Sequence, residues 1–208
     1  METKDMGIKK IKVRITLLEE MLGTASANPE IHSEFIASKA PDAPSMEEEV
    51  AAIGAEAVEQ KQMTVFPRDD DGNPIMWDYQ FKGLMKDACQ MLRKVGGSAS
   101  SKIKAYKKEI DGLIFAEPRM IRLDMHGGKM GVCKRPLRAQ TPLGERVALA
   151  SSETVPAGTT MDVTFVLYSP SSHRDALMEW LDYGAVRGLG QWRNSGKGRF
   201  SYQVVAEE

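Results

Sequence analysis

Five glycines lie between residues 184 and 200 of this 208-residue chain, and a stretch so rich in glycine favours a turn or loop. One tryptophan, four cations and no acid stand among them: Trp192, Arg187, Arg193, Lys197 and Arg199. Glycine lets backbone N–H groups approach an anion closely, and the cations supply a field that attracts one. The stretch therefore predicts either an anion-binding loop, with a phosphate backbone as the obvious ligand, or a plain turn between a helix and a strand.

The nearest named pattern, the P-loop, does not fit this stretch. A P-loop has four residues between its first glycine and Gly-Lys, and Ser or Thr and a helix follow. Here five residues separate Gly190 from Gly196, Gly198 follows Lys197, and the next residues alternate like a strand. Nucleotide hydrolysis is therefore not predicted.

The net charge of −1 hides a strong segregation of charge along the chain. Residues 42–59 carry six acids and no base, and residues 93–108 carry six bases and no acid. Residues 119–146 carry seven bases against two acids. Such segregation leaves basic surfaces that the net charge does not reveal, and together with the glycine-rich stretch it favours a nucleic-acid ligand over solvated loops.

Composition gives no sign of a membrane segment, a disulfide framework or a metal. No apolar run approaches the roughly 18 residues that span a bilayer, and the start lacks the apolar core of a signal peptide, so we expect a cytoplasmic protein. Cys89 and Cys133 stand in unrelated contexts. The acids of residues 69–71 lack the glutamate of a calcium loop and predict a solvated turn. No metal and no cofactor is expected.

The hydrophobic pattern predicts an α+β fold. Strands are predicted from apolar and polar alternation over residues 11–17, 161–167 and 200–205, and from apolar residues over 113–123 with an interruption near Pro118. Amphipathic helices are predicted at residues 78–96, with Asp78 as the cap of that helix, and from residue 170 onward. The order strand, helix, strand, strand, helix, strand is that of a ferredoxin-like (RRM-like) split βαβ core, with two helices on one face of an antiparallel sheet.

Two segments lie outside that core. Residues 23–76 form an insertion after the first strand, with a short acidic helix after Ser45 and a brief strand at residues 63–66. Residues 125–160 are too basic and too often interrupted by glycine and proline for a core segment, so they predict a protruding, thumb-like loop or hairpin. The length of 208 residues suits a single domain over residues 1–208.

Four short patterns follow one another along the chain. They are the first strand with the small residues 22–26 after it, residues 71–75 (Asp-Gly-Asn-Pro-Ile) leading to residues 82–86 (Lys-Gly-Leu-Met-Lys), residues 156–160 (Pro-Ala-Gly-Thr-Thr), and the glycine-rich residues 188–199. In this order they resemble the RAMP superfamily, the ferredoxin-like RNA-binding proteins of CRISPR systems, and in particular its large repeated backbone subunit. The chain departs from that family at residues 77–80, Trp-Asp-Tyr-Gln, where the family usually has Pro-Gly-Ser-Ser.

The resemblance implies a non-catalytic, RNA-binding backbone subunit. Such a subunit forms homo-oligomers, or filaments, along a single-stranded guide-like RNA and presents it for pairing with a complementary RNA or DNA target in antiviral defence. The thumb-like hairpin would cross the RNA. The implied RNA-binding residues are Lys82, Lys86, Arg135, Arg138, Arg187, Gly188, Gly190, Trp192, Arg193, Asn194, Ser195, Gly196, Lys197, Gly198 and Arg199. Trp192 either stacks on a base or packs the loop onto the core.

No catalytic residue is predicted, and two other functions stay open. His32, His126 and His173 lack a recognisable catalytic partner, and Glu56 and Glu59 only roughly match the region of a backbone subunit's cleaving acid. The first alternative is a RAMP endoribonuclease that uses a residue such as His32 or Glu59. The second is an interaction protein, for example a phage-encoded mimic, that inserts into another system's RAMP assembly and blocks it.

Overall fold

A computed structural model describes residues 7–27, 63–141 and 144–208, with the side chains of residues 137–141, 144–148 and 170–172 left out. In chain order the strands are β1 (Lys9–Leu17), β2 (Met21–Leu22), β3 (Ala25–Ser26), β4 (Thr64–Val65), β5 (Ile75–Trp77), β6 (Ile114–Glu117), β7 (Met120–Arg122), β8 (Gly131–Thr141), β9 (Gly144–Val155), β10 (Thr160–Leu167) and β11 (Phe200–Glu207). The helices are α1 (Asp78–Leu92), α2 (Tyr106–Leu113) and α3 (Pro170–Arg187). The predicted α+β class is confirmed.

The central sheet is antiparallel and has the strand order β11-β1-β10-β6. Alternation in β1 buries Ile11, Val13 and Ile15 completely on one face. The other face exposes Lys10, Lys12 and Arg14. A sheet that is apolar on one face and charged on the other must cover its apolar face, and the helices do so.

Helices α1 and α3 pack against the apolar face of the sheet and against each other. Phe81 of α1 meets Phe165 of β10 edge to face, with ring centroids 5.9 Å apart. Trp180 of α3 is fully buried, and its indole Nε1 donates to Ser100 Oγ at 2.9 Å. A Cβ on Gly184 of α3 would stand 2.9 Å from a Leu84 methyl, so glycine allows the two helices to approach closely here. In the part of the chain that is described, no helix has the length and hydropathy needed to cross a membrane.

The structure corrects three local expectations. Helix α2 was not predicted, because its eight residues bury only Tyr106 and Ile110, which is too few apolar positions to reveal a period. The strand over residues 113–123 is interrupted at Pro118, as predicted, because proline has no N–H for a ladder, but its two halves lie in different sheets: β6 joins the central sheet, and β7 pairs with β5. Asp78, predicted as the cap of α1, is instead its first residue. The helix begins after Trp77, whose N–H donates to Gln80 Oε1 at 2.8 Å.

A second sheet ties the insertion to a long hairpin. Strands β8 and β9 pair antiparallel from Gly131 to Val155. Strand β9 also pairs with β2 at one end of the insertion and with β4 at the other, and β3 pairs with β4. Arg68 strengthens the connection through an ion pair with Glu153 at 2.7 Å. Both described ends of the insertion are therefore attached to the hairpin, and the acidic helix predicted after Ser45 lies outside the described residues.

Replacing Phe165 with alanine should lower the free energy of unfolding by about 3 to 5 kcal/mol, because it removes a fully buried ring from the junction of sheet and α1. Phe115→Ala on the neighbouring strand is the matched control, since 38% of Phe115 is exposed. Urea unfolding of both variants measures the difference. Equal destabilisation would contradict the assignment of the core to the helix-covered face.

The contact between Tyr202 of β11 and Asp182 of α3 should weaken at high pH. The tyrosine O–H donates to Asp182 Oδ1 at 2.6 Å, and burial together with that carboxylate raises the pKa of Tyr202 from 10.0 to about 12. A raised folded-state pKa stabilises below pH 10, and the benefit disappears as the pH rises towards 12. The stability difference between the protein and Tyr202→Phe should therefore shrink across that interval, as measured by unfolding at each pH. A constant difference would rule out this linkage.

Candidate nucleic-acid interface

The glycine-rich loop that follows α3 is folded tightly upon itself. Gly188, Gly190, Gly196 and Gly198 all have positive φ angles, between 70° and 85°, which favour glycine. A Cβ on Gly190 would stand 2.5 Å from the carbonyl oxygen of Leu22, and one on Gly188 or Gly198 would overlap the loop's own backbone. The glycines are therefore required for close packing within the loop and against β2.

The N–H groups of three of these glycines are already used inside the protein. Gly188 donates to Gly184 O at 2.7 Å, Gly196 donates to Arg193 O at 3.0 Å, and Gly198 donates to Glu20 O at 2.8 Å. The sequence argument expected such N–H groups to face an anion. The structure corrects it for these three positions, where glycine shapes the loop and the side chains remain to contact a ligand.

Two arginines of the loop share one carboxylate. Arg187 Nε and Arg193 Nη1 lie 3.3 and 3.2 Å from the same oxygen of Asp87, on α1. Arg187 also donates to Asn194 Oδ1 at 2.6 Å. Two cations against one anion leave an excess charge of +1, and each guanidinium has five N–H donors, most of which remain available. Both arginine side chains are about 30% exposed, so they are positioned and still accessible.

The surface is hollow around these arginines. Three adjoining depressions of about 510, 370 and 260 Å³ all include Arg193 in their lining. The smallest lies between the start of α1, at Gln80 and Gly83, and the backbone at Gly188. We name these depressions together the arginine cleft. Fixed cations in a concave surface suit an anionic chain that passes through the cleft.

Arg135 connects the hairpin to the loop. Arg135 is 7% exposed, and its guanidinium donates to Ser152 Oγ and Gln191 Oε1, both at 3.0 Å. Its guanidinium carbon lies 5.3 Å from the centroid of the Trp192 ring, a cation–π distance. Arg135 is therefore a structural link, and the side chain of Arg138 lies outside those described. Trp192 is 42% exposed, so the ring is accessible at the rim of the cleft and is not packed into the core.

Lys82 and Lys86 point away from the loop. Lys82 Nζ donates to Asp111 O at 2.9 Å and lies 4.3 Å from the Phe115 ring centroid, while Lys86 pairs with Asp111 at 2.6 Å. These contacts are with α2 and β6, whereas Asp87 meets the loop from another face of α1. The structure does not bring the two lysines to the arginine cleft, and their binding of RNA stays a prediction.

The remaining loop residues differ in how free they are. Lys197 forms an ion pair with Glu20, which lies in the connection between β1 and β2. The hydrogen bond within this pair raises the pKa of the Lys197 ammonium group. Ser195 Oγ donates to Trp192 O at 2.9 Å. Arg199 is exposed and has no ion-pair partner within residues 7–27, 63–141 and 144–208. Of the predicted loop cations, Arg187, Arg193 and Arg199 are thus the ones available to a ligand.

The sequence analysis missed Asp87, Gln80 and Gly83 as parts of the site. They stand on one face of α1 because their spacings of three, four and seven residues match the helical period. A signal was present, since Asp87 stands directly beside the buried stripe of α1, three residues after Leu84 and one before Ala88. An acid at such a position calls for a basic partner, and the loop provides two.

The two candidate catalytic histidines that the structure describes, His126 and His173, both have hydrogen-bond partners within the chain. His173 is 1% exposed, and its ring nitrogens lie 3.1 Å from Ser169 O and from Glu109, which packs α3 onto α2. His126 lies in an exposed turn, with its Nε2 2.8 Å from Thr160 Oγ1 and its Nδ1 3.5 Å from Asp124 Oδ2. Within the described ranges no three His, Cys, Asp or Glu residues are grouped to hold a metal ion. His32, Glu56 and Glu59 lie outside those ranges.

Comparison with known proteins finds similarity at the level of fold. No family model and no curated protein sequence matches the chain. A chain of the type III-B Cmr-beta complex bound to cognate target RNA aligns with 97% of this chain at a TM-score of 0.51 and 12% identity, and this chain spans 60% of its length. A chain of a type IV-B CRISPR complex aligns with 95% at a TM-score of 0.50 and 15% identity, and 90% of that chain is covered. This chain has the fold of chains in CRISPR complexes.

Gly198→Ala should destabilise the protein more than Gly72→Ala. Both glycines have positive φ, so both variants carry the backbone strain of about 1 to 2 kcal/mol. Only at Gly198 would the added methyl overlap backbone, at Leu189, which adds about 1 to 3 kcal/mol. Thermal and urea unfolding of the two variants measure the difference. Equal destabilisation would show that the loop is packed less tightly than described.

Proposed function

We propose that the chain is a non-catalytic, RNA-binding subunit of a CRISPR-type effector complex, of the RAMP backbone class. Its central sheet supports the class, because the order β11-β1-β10-β6 with helices α1 and α3 between its strands is the 4-1-3-2 order of a ferredoxin-like split βαβ core. The likeness to chains of the Cmr-beta and type IV-B complexes is consistent with it. Homo-oligomerisation along a guide-like RNA, and pairing of that RNA with an RNA or DNA target, belong to this proposal.

The observation that carries the proposal is the pair of guanidiniums that Asp87 holds in the arginine cleft. Guanidinium donors match phosphate oxygens in geometry and form strong, charge-assisted hydrogen bonds. One carboxylate orients Arg187 and Arg193 without neutralising both. Because these side chains are already held in place, they lose less conformational entropy when a phosphate binds. Trp192 at the rim offers a surface on which a base can stack, worth about 1 to 3 kcal/mol.

The double variant Arg187→Gln, Arg193→Gln should weaken binding of single-stranded RNA about tenfold or more, and to a similar extent for every RNA sequence, because phosphate contacts carry no sequence information. The slope of log affinity against log salt should become shallower by about 0.7 for each phosphate that the variant no longer neutralises. Lys10→Gln, Lys12→Gln removes the same charge from the exposed sheet face and serves as the control. Fluorescence anisotropy at several salt concentrations measures both.

One further variant and two further readouts make this test decisive. The double variant leaves the Asp87 carboxylate without its arginine partners, and an unpaired carboxylate repels RNA. Adding Asp87→Asn removes this charge, so weak binding that persists reflects the missing guanidinium donors. Unchanged binding in both variants, or equally weakened binding in the control, would contradict the proposal. Discrete cuts in labelled RNA would favour the endoribonuclease, and a stoichiometric protein partner without co-purified RNA would favour the inhibitory mimic.

A further inference from the structure

A second basic surface lies at the other end of the helical layer. Its six cations come from the C-terminal end of α1, the turn after it and the first turn of α2. They are all exposed: Arg93, Lys94, Lys102, Lys104, Lys107 and Lys108. We name these six residues the lysine ridge.

Packing contacts bring the parts of the lysine ridge together. The Arg93 guanidinium carbon lies 5.2 Å from the centroid of the Tyr106 ring, so the end of α1 meets the start of α2. The intervening turn is held by Glu179 of α3, whose carboxylate accepts from the backbone N–H of Ala99 at 2.6 Å and of Ser100 at 3.1 Å. The ridge is therefore built on an ordered segment of the fold.

The charge of the lysine ridge is not compensated by the chain as far as it is described. None of its six side chains makes an ion pair there. The two nearby acids of α2 have other partners, since Glu109 contacts His173 and accepts from the backbone N–H of Ala105, and Asp111 pairs with Lys86. Lys107 and Lys108 stand in the first turn of α2, where the helix dipole is itself positive and no side chain caps the helix. This is a positive surface that repels itself and that an anion would stabilise.

The lysine ridge is separate from the arginine cleft. Helix α3 contacts the ridge segment through Glu179 and the cleft through Arg187, eight residues or about 12 Å further along its axis. Lys82 and Lys86 lie on a third surface, towards β6. A ligand of the ridge therefore uses a different site from a ligand of the cleft.

We infer that the lysine ridge binds the phosphodiester backbone of a single-stranded nucleic acid as a second, independent site. The inference does not require the arginine cleft to bind RNA. Five of the six cations are lysines, which bind phosphate as mobile point charges. Tyr106 is 9% exposed and offers no face for a base, so the ridge contacts phosphates without reading sequence.

The composition of the ridge favours nucleic acid over an acidic protein. Protein interfaces are depleted in lysine and have an apolar or aromatic centre. Between residues 93 and 108, Val95 is the one large apolar side chain that is exposed, at 55%. Interleaved glycine and serine at residues 96–101 add no apolar area. A surface of this kind gains its affinity from charge and counterion release.

The test compares two variants that each remove four positive charges. The ridge variant is Lys102→Gln, Lys104→Gln, Lys107→Gln, Lys108→Gln, and the control is Lys9→Gln, Lys10→Gln, Lys12→Gln, Arg14→Gln on β1. Binding of single-stranded RNA of about 8 and about 30 nucleotides is measured by anisotropy over a range of salt. The ridge variant should bind the longer RNA about tenfold or more weakly at low salt, with a salt slope shallower by about 2 to 3. The control should change much less.

Several outcomes overturn the inference. Equally weakened binding in the ridge variant and the control would show that only net charge matters, and unchanged binding in the ridge variant would exclude the site. Weaker binding of poly-glutamate with unchanged binding of RNA would assign the ridge to an acidic protein. If the fourfold variant unfolds, the pairs Lys102→Gln, Lys104→Gln and Lys107→Gln, Lys108→Gln replace it, and each should give about half the change in slope.

The two proposals can fail separately. Weakened binding in Arg187→Gln, Arg193→Gln alone supports the cleft and excludes the ridge, and weakened binding in the ridge variant alone does the reverse. If one long RNA contacts both sites at once, the free-energy changes should add in the combined variant, because the sites share no residue.

Discussion

The Asp87 carboxylate is the contact on which the candidate site depends. It stands on α1, and it holds Arg187 at the end of α3 and Arg193 in the loop, so one acid joins two helices and the connection to β11. Its partners are only partly exposed, and each pairing is therefore stronger than a fully solvated ion pair. Because both arginines compete for one oxygen, neither is fully neutralised. The same contact that orders the loop thus leaves it positively charged.

The close approach of α1 and α3 makes that contact possible. Gly184 lets α3 pack closely against Leu84, which lies about one helical turn before Asp87 on α1. The glycine-rich loop begins at Gly188, four residues after Gly184. Beyond this point the chain must reverse towards β11 within a small volume, which requires positive φ at four glycines. A glycine needed for such folding looks the same in a sequence as a glycine that exposes its N–H to an anion. Only the hydrogen bonds of the folded chain separate the two roles.

Long periodic elements were predictable, and features set by tertiary contacts were not. The alternation from Ile11 to Leu17 specified β1 and its buried face. Helix α2 has too little apolar surface to show a period, and its stability comes from the packing of Tyr106 and Ile110. Within the site, the glycine-rich and acid-free composition of residues 184–200 identified Arg187 and Arg193 as candidate ligands of an anion. The direction in which Lys82 and Lys86 point depends on the rotation of α1 about its own axis, and a short sequence motif does not determine that rotation.

The placement of charge separates this chain from proteins that read RNA on an open sheet. Such sheets stack bases on aromatic side chains of their central strands. Here the outer face of the central strands β1 and β10 carries no aromatic residue, and its cations are largely paired, as Arg14 is with Asp162 at 2.7 Å. The exposed rings of Phe115 on β6 and Tyr168 after β10 lie 5.8 Å apart at one edge of that face. The uncompensated charge lies instead on the loop and on the helical side. Contacts to phosphate from these places do not depend on base identity, so any sequence selectivity of an RNA held here would have to come from base pairing.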